Sequence, residues 1–209
     1  MAVQRSGWCV DWSKTLDEQL GGFHNSDLII LGARPGAGKT ALAINMMIHS
    51  GARCGFVSCE QSAEQIGMRA MSLSSGVSLH DLRLAKYGDD EQSMITSGVA
   101  QLSQKHLYIN DRPGIDNLEI QRQAREWKQK YNIDILFIDY LQKINSSMQH
   151  QNKAESVGEV AISFKNLAKE LDILVVALAQ VNRSVEHRPD KRPMASDLKD
   201  CGIIEQEAD

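Results

Sequence analysis

The sequence contains no apolar run long enough to cross a lipid bilayer. A membrane-spanning helix needs about 20 consecutive apolar residues, and every apolar run in these 209 residues is much shorter. The N-terminus also lacks the apolar core of a secretory signal peptide. We therefore expect a cytoplasmic protein that has no membrane partner.

Cysteine and histidine are few and scattered. The four cysteines share no metal-ligand spacing, and the six histidines form no H-x-x-x-H pair. A zinc site is therefore not expected. Because disulfides are rare in the cytoplasm, we expect the cysteines to be reduced and mostly buried. They are Cys9, Cys54, Cys59 and Cys201.

An excess of positive charge is missing as well. Lysine and arginine together number 23 against 27 aspartates and glutamates, which gives a formal net charge of -4. This balance argues against a protein that coats nucleic acid with its whole surface. It leaves room for a local cationic track, because phosphate binding depends on where the charges lie as well as on their sum.

What the chain does contain is a regular alternation of strand-like and helix-like segments. Short, β-branched apolar runs predict strands at Leu28–Leu31, Gly55–Ser58, Leu107–Ile109, Ile135–Ile138 and Ile173–Ala179. Apolar spacing and capping residues predict helices at Thr40–His49, Ala63–Leu73, Asn117–Lys130 and 157–171. Runs that are apolar on both faces are typical of a parallel sheet that helices cover on both sides. We therefore predict one α/β domain with a central, mostly parallel sheet flanked by helices.

The first predicted strand leads into "ARPGAGKT", residues 33–40. This stretch matches the phosphate-binding pattern G-x-x-x-x-G-K-[ST], except that Ala33 replaces the first glycine. The stretch from Gly36 to Ala41 also satisfies the dinucleotide fingerprint G-x-G-x-x-G/A, with Glu60 about 20 residues further along. The phosphate loop is the better fit, because the dinucleotide turn should begin where the strand stops and Gly36 lies well past that point.

The loop itself predicts polyphosphate binding. The backbone N–H groups of residues 34–39 lie at a predicted helix N-terminus, where they can wrap phosphates that the glycines allow to approach closely. Lys39 would place its charge on the outer phosphates, and the Thr40 hydroxyl would reach Mg²⁺. Asp139, at the end of a buried strand, can hold the same ion directly or through water.

Two further polar side chains follow predicted strands. Glu60 and Gln180 come just after the second and the last apolar run. In open parallel sheets ligands bind beyond the carboxyl ends of the strands, so these groups should meet the glycine loop. Glu60 is then placed to orient and deprotonate a water molecule for in-line attack, and Gln180 to contact the terminal phosphate.

Several stretches resemble one known family. They are "SDLIILGARPGAGKTALAINM", "FVSCEQSAEQIGMR", "ILFIDYLQKI" and the segment from "FKNLAKELDILVVALAQVNRS" through "KRP" to "IEQEAD". They resemble the C-terminal motor domain of DnaB-type replicative helicases over nearly the whole chain and in the family's motif order. The resemblance implies a RecA-like P-loop NTPase fold, ATP and Mg²⁺ as ligands, and a phosphate loop that opens with Ala-Arg-Pro.

The resemblance also assigns roles to individual residues. It implies nucleotide contacts from the whole loop, which comprises Ala33, Arg34, Pro35, Gly36, Ala37, Gly38, Lys39 and Thr40. It implies that Glu60 is the catalytic base and that Gln180 senses the γ-phosphate, with Lys39 acting beside them. Asp139 corresponds to the second acidic motif.

Partners are implied in the same way. Family members form hexameric rings, hydrolyse nucleoside triphosphates at subunit interfaces and translocate on single-stranded DNA. A primase or a helicase loader is expected as a further partner. DNA contacts are expected from segments 143–156 and 182–193, because a local cationic excess suits sequence-independent binding. The cations predicted to contact DNA are Arg183, Arg188, Lys191 and Arg192.

The extent of the chain raises a further expectation. Family members carry an N-terminal domain ahead of the motor and, behind it, a basic hairpin that supplies an arginine finger, whereas this sequence ends at Asp209. We expect a single RecA-like domain over residues 1–209, incomplete at its C-terminus, with slow hydrolysis without that arginine.

Two alternatives stay open. One is a nucleotide-binding remnant or interaction module that joins a helicase ring without motor activity. The other is a RecA-like recombination or clock-type ATPase, a class that does not share the "VNRS" and "KRP" stretches.

Overall fold

The computed structural model describes residue 18 and residues 21–146, 152–182, 185–186, 188–198 and 202–209. The strands are β1 (Leu28–Ala33), β2 (Cys54–Ser58), β3 (Leu107–Asn110), β4 (Ile135–Asp139) and β5 (Leu174–Gln180). The helices are α1 (Lys39–His49), α2 (Ala63–Ser75), α3 (Leu79–Leu84), α4 (Asp89–Ser103), α5 (Asn117–Tyr131), α6 (Lys153–Leu171) and α7 (Gly202–Glu207). Short 3-10 turns lie at Leu141–Lys143 and Ala195–Asp197.

The five strands form one sheet in the order β1-β5-β4-β2-β3, and every neighbouring pair is parallel. The predicted parallel α/β architecture is therefore confirmed, with the strand ends shifted by a few residues. The register aligns Ala33 with Gln180 and Ser58 with Asp139. The carboxyl ends of four of the strands thus meet along one edge of the sheet.

Both faces of the sheet are buried, which explains why the strands are apolar throughout. Along β5 the side chains alternate between two clusters, as the pleat of a strand requires. Val175, Ala177 and Ala179 belong to the cluster that includes residues of α5 and α6, whereas their neighbours Leu174, Val176 and Leu178 pack with residues of α1 and α2.

Local sequence signals set several helix boundaries. The predicted capping boxes at Ser62 with Gln65 and at Asp116 with Glu119 are both present and begin α2 and α5. Helices α3, α4 and α7 were not predicted. In α4 the buried residues are only Ile95 and Gly98, so its sequence carries no continuous apolar face.

The described cysteines are free, Cys54 buried and Cys59 half-buried, as expected; Cys9 and Cys201 lie outside the described residues. Within the described part of the chain, no helix is long and apolar enough to cross a membrane.

Candidate nucleotide-binding site

A cavity of about 450 Å³ lies at the carboxyl ends of the strands, beside the glycine loop. The predicted residues that line it are Arg34, Pro35, Gly36, Gly38, Lys39, Thr40, Glu60 and Gln180. Residues that lie far apart along the chain therefore line one polar cavity. Ala33, Ala37 and Asp139 are not part of the lining, although Asp139 contacts it through Thr40.

A larger cavity of about 580 Å³ lies along β1, near residues 193–198. It shares none of the predicted nucleotide residues, and most of the side chains around it are apolar. The smaller cavity is the better candidate site, because it gathers three cationic side chains and a carboxylate where a polyphosphate needs them.

Two glycines of the loop have a backbone conformation that residues with a side chain rarely adopt. Gly36 and Gly38 have φ angles of 78° and 94°, both in the left-handed region where glycine is preferred. Space is not the constraint, since an added Cβ at either position would meet nothing within 4 Å. Helix α1 begins at Lys39, directly after Gly38, so the free N–H groups of its first turn belong to the same loop.

A hydroxyl–carboxylate pair joins the start of α1 to the end of β4. Thr40 Oγ1 donates a 2.6 Å hydrogen bond to Oδ2 of Asp139, whose side chain is fully buried. Oδ1 of the same carboxyl is also buried, and no described group bonds to it. Burial raises the pKa of Asp139, while the Thr40 bond and the charge of Lys39 oppose that rise. The pair supplies a hydroxyl oxygen and a carboxylate oxygen, the hard ligands that Mg²⁺ prefers.

Tyr140 joins two lysines to this site. The Lys39 ammonium lies 4.9 Å from the centre of the Tyr140 ring, and the Lys143 ammonium lies 5.9 Å from it, both within the range of a cation–π contact. Burial raises the pKa of Tyr140, and the charges of Glu60 and Asp139 add to that rise. Tyr140 is not among the predicted site residues. Its position directly after Asp139, at the end of β4, is the sequence feature that points to it.

Arg69 and Gln61 also line the cavity and were not predicted. Arg69, on α2, donates from Nε to Oε1 of Gln61 at 2.9 Å. Ser58 holds Gln61 in place, because its hydroxyl donates to the Gln61 carbonyl at 2.6 Å and accepts from the Gln61 N–H at 3.1 Å. These contacts place an additional cation in the lining of the cavity that Glu60 shares, and no sequence pattern identified it.

The loop after β5 is linked to the glycine loop. Arg34 forms a 2.5 Å ion pair with Glu186, and Val181 N–H donates to the Ala33 carbonyl at 3.1 Å. Both contacts connect the end of β5 to the start of the phosphate loop.

The cations predicted to contact DNA lie in different settings. Arg188 pairs with the buried Asp197 at 2.6 Å and donates to the Arg192 carbonyl at 2.9 Å. Lys191 and Arg192 are exposed. Arg183 lies outside the described residues, as does part of segment 143–156. Their contact with DNA stays a prediction.

Comparison with known sequences identifies the family. The chain matches the model of the family described as "DnaB-like helicase C terminal domain" over residues 12–209. It is 40% identical to the replicative DNA helicase DnaB of Rickettsia prowazekii (strain Madrid E) over 208 residues, which cover 93% of this chain and 43% of the relative. It is also 40% identical to that of Helicobacter pylori (strain J99) over 198 residues, 93% of this chain and 41% of the relative. The chain thus spans less than half the length of these relatives.

Solved structures share the fold. One structure, described as an ATPase domain, has a TM-score of 0.92 and 26% identity, covering 98% of this chain and 74% of that one. A DnaB-like replicative helicase described with its interactions with primase has the same TM-score and identity, covering 99% of this chain and 51% of that one. These matches confirm the predicted RecA-like fold and favour neither of the two alternative functions. Sequence and structure agree that the chain belongs to the DnaB-like helicase C-terminal domain family.

Proposed function

We propose that this chain is the ATP-binding and ATP-hydrolysing motor domain of a replicative DNA helicase, coupling hydrolysis to translocation on single-stranded DNA. The observation that carries the proposal is the convergence of Lys39, Glu60 and Gln180 on one cavity, which Thr40 lines while it bonds to the buried Asp139. Family membership supports the same activity.

The glycine loop binds the phosphates in this proposal. Its backbone N–H groups donate to the phosphate oxygens, and the N-terminus of α1 favours their negative charge. The Lys39 ammonium moves its contact from the Tyr140 ring to the outer phosphates. Arg69, which also lines the cavity, adds a further positive charge.

A magnesium ion fits the Thr40–Asp139 pair. The Thr40 hydroxyl donates its hydrogen bond to Asp139 and keeps oxygen lone pairs for a cation. Oδ1 of Asp139, to which no described group bonds, would help to hold the ion beside the Thr40 hydroxyl. When bound, the ion would neutralise charge that develops on the β- and γ-phosphate oxygens.

Hydrolysis then follows from the remaining side chains. Glu60 orients a water molecule and takes its proton as the water oxygen attacks the γ-phosphorus in line. The bond between that phosphorus and the bridging oxygen breaks, so ADP leaves and inorganic phosphate forms. The Gln180 amide contacts the γ-phosphate and reports whether it is still attached.

DNA and protein partners belong to the same proposal. We assign single-stranded DNA to segments 143–156 and 182–193, with Arg183, Arg188, Lys191 and Arg192 as phosphate contacts. A hexameric ring, and a primase or loader as partner, are proposed from the family; the relative described with primase supports the partner class.

Steady-state ATP hydrolysis tests the proposal, measured with Mg²⁺ in the presence and absence of single-stranded DNA. We expect DNA to stimulate hydrolysis, and Lys39→Ala to lower it by about 100-fold or more, because a charge on the outer phosphates is lost. Lys105→Ala, at an exposed lysine outside the cavity, is the matched control and should leave the rate unchanged. Equal rates for Lys39→Ala and the wild type would contradict the site, and a rate that DNA does not change would contradict the motor.

A further inference from the structure

Among the described residues, no strand pairs with the last residue of β5 on the β4 side. Pairing between β4 and β5 ends at Ile138 with Ala177, whereas β5 continues to Gln180. On its other side Gln180 is aligned with Ala33 of β1. The main-chain N–H and C=O of Gln180 point to the side where β4 has ended, because the Val181 N–H is the group that bonds to β1 at this row.

A side-chain amide takes the place of the missing strand. Gln142 lies in the 3-10 turn that follows Asp139 and Tyr140. Its Oε1 accepts from the Gln180 N–H at 3.1 Å, and its Nε2 donates to the Gln180 carbonyl at 3.4 Å. Two opposed hydrogen bonds to one residue's main chain fix both its position and its direction.

We propose that Gln142 is a positioning residue for γ-phosphate recognition: it holds the main chain of Gln180 so that the Gln180 side chain meets the terminal phosphate. The inference rests on the proposed function, because it takes Gln180 to be the γ-phosphate sensor. Gln180 lines the nucleotide cavity and Gln142 does not, so any effect of Gln142 on the terminal phosphate passes through the main chain of Gln180.

The geometry separates this role from general support of the fold. Gln142 is only half-buried and lies on a three-residue turn. The turn is already held by its own main-chain bonds, from Lys143 to the Tyr140 carbonyl and from Ile144 to the Leu141 carbonyl. The buried side chain of Leu141 anchors it in the core. Removing the Gln142 amide should therefore leave the sheet folded and free the end of β5.

The test measures equilibrium binding of fluorescent ADP and fluorescent ATPγS with Mg²⁺ to the whole chain. The wild type should prefer ATPγS over ADP. Gln142→Met, which keeps the length and removes both hydrogen bonds, should reduce that preference by about tenfold, the effect of one misplaced hydrogen bond to a charged group. ADP affinity should stay within about twofold of the wild type, since ADP has no γ-phosphate.

Four further variants complete the experiment. Gln142→Ala is the second substitution, and thermal unfolding checks that both variants are folded. Gln129→Ala, at an exposed glutamine on α5, is the matched control and should keep the full preference. In a Gln180→Ala background, Gln142→Met should cause no further loss, because the residue through which it acts is gone.

The outcomes separate the two proposals. If the wild type prefers ATPγS and the Gln142 variants keep that preference, the positioning role is wrong and the proposed function stands. A further loss in the Gln180→Ala background also overturns it, because Gln142 would then act independently of Gln180. If the wild type itself binds ATPγS and ADP equally, the assignment of Gln180 as γ-phosphate sensor is wrong, and so is the positioning role of Gln142.

Discussion

The Thr40–Asp139 pair predicts a specific link between the nucleotide site and stability. In Thr40→Val the shape of the side chain is kept and the hydroxyl is lost. Asp139 is fully buried, and the Thr40 bond is the only side-chain hydrogen bond that the described residues give its carboxylate. The variant therefore leaves a buried charge without that partner.

The magnitude follows from the type of bond. A hydrogen bond to a charged group contributes about 1.5–3 kcal/mol, and a free-energy change of 1 kcal/mol shifts the melting temperature of a chain of this size by about 2–4 °C. We expect Thr40→Val to melt about 3–12 °C below the wild type at about pH 8. Thr40→Ser keeps the hydroxyl and should melt close to the wild type.

The pH dependence identifies the carboxylate as the cause. The ordinary pKa of the group is 3.8, and burial raises it in the folded protein. Asp139 in its protonated form thus favours folding at low pH, and that stabilisation is lost as the pH rises through the raised pKa of the folded protein. A bond from Thr40 to a protonated carboxyl is worth only about 1 kcal/mol. The effect of Thr40→Val should therefore shrink towards acid pH.

Thermal unfolding by circular dichroism from about pH 4 to about pH 8 checks this reasoning. Thr96→Val is the matched control, because Thr96 is an exposed threonine of α4 that bonds to the Gln92 carbonyl in its own helix. Its melting temperature should change little at any pH. A Thr40→Val effect as small as that of Thr96→Val, or one that is equal at both ends of the pH range, would refute the argument.

Three further predictions concern the site. Glu60→Gln should keep ATP affinity while ATP turnover falls about 10²- to 10⁴-fold, as expected for a lost general base; unchanged turnover would remove Glu60 from that role. Gly38→Ala should weaken nucleotide binding, because its φ of 94° strains any residue that has a side chain. Gly67→Ala is its control: Gly67 lies inside α2 with open space around its Cβ position. In denaturant unfolding this control should be more stable than the wild type by about 0.5–1 kcal/mol. The double substitution of Lys191 and Arg192 by alanine should lower the salt dependence of single-stranded DNA affinity, with a slope smaller by about 0.7 for each lost phosphate contact.

The parts of the fold that the sequence predicts are those set by local signals. Apolar runs located the five strands, and capping boxes located the starts of α2 and α5. Helix α4 was not predicted because few of its residues are buried, which leaves no clear apolar face in its sequence. Helices α3 and α7 are only six residues long, too short to show an apolar period. Strand order is a property of the packed sheet, and no local pattern encodes it.

The site divides in the same way. A loop motif and a strand end mark Lys39, Thr40 and Asp139 as candidates in the sequence. No motif or strand end marks Arg69 or Gln142, so the sequence does not single them out. Arg69 reaches the cavity from the second turn of α2, and Gln142 bonds to a main chain 38 residues away. Such contacts exist only once the sheet has formed.

A crystal structure of the chain with ATPγS and Mn²⁺ tests the central claim most directly, because the anomalous signal of manganese locates the ion that stands in for Mg²⁺. The account predicts one manganese peak beside Thr40 and Asp139, with the triphosphate against residues 33–40 and its terminal phosphate near Gln180. Nucleotide bound in the larger cavity along β1, or manganese away from Thr40 and Asp139, would contradict it.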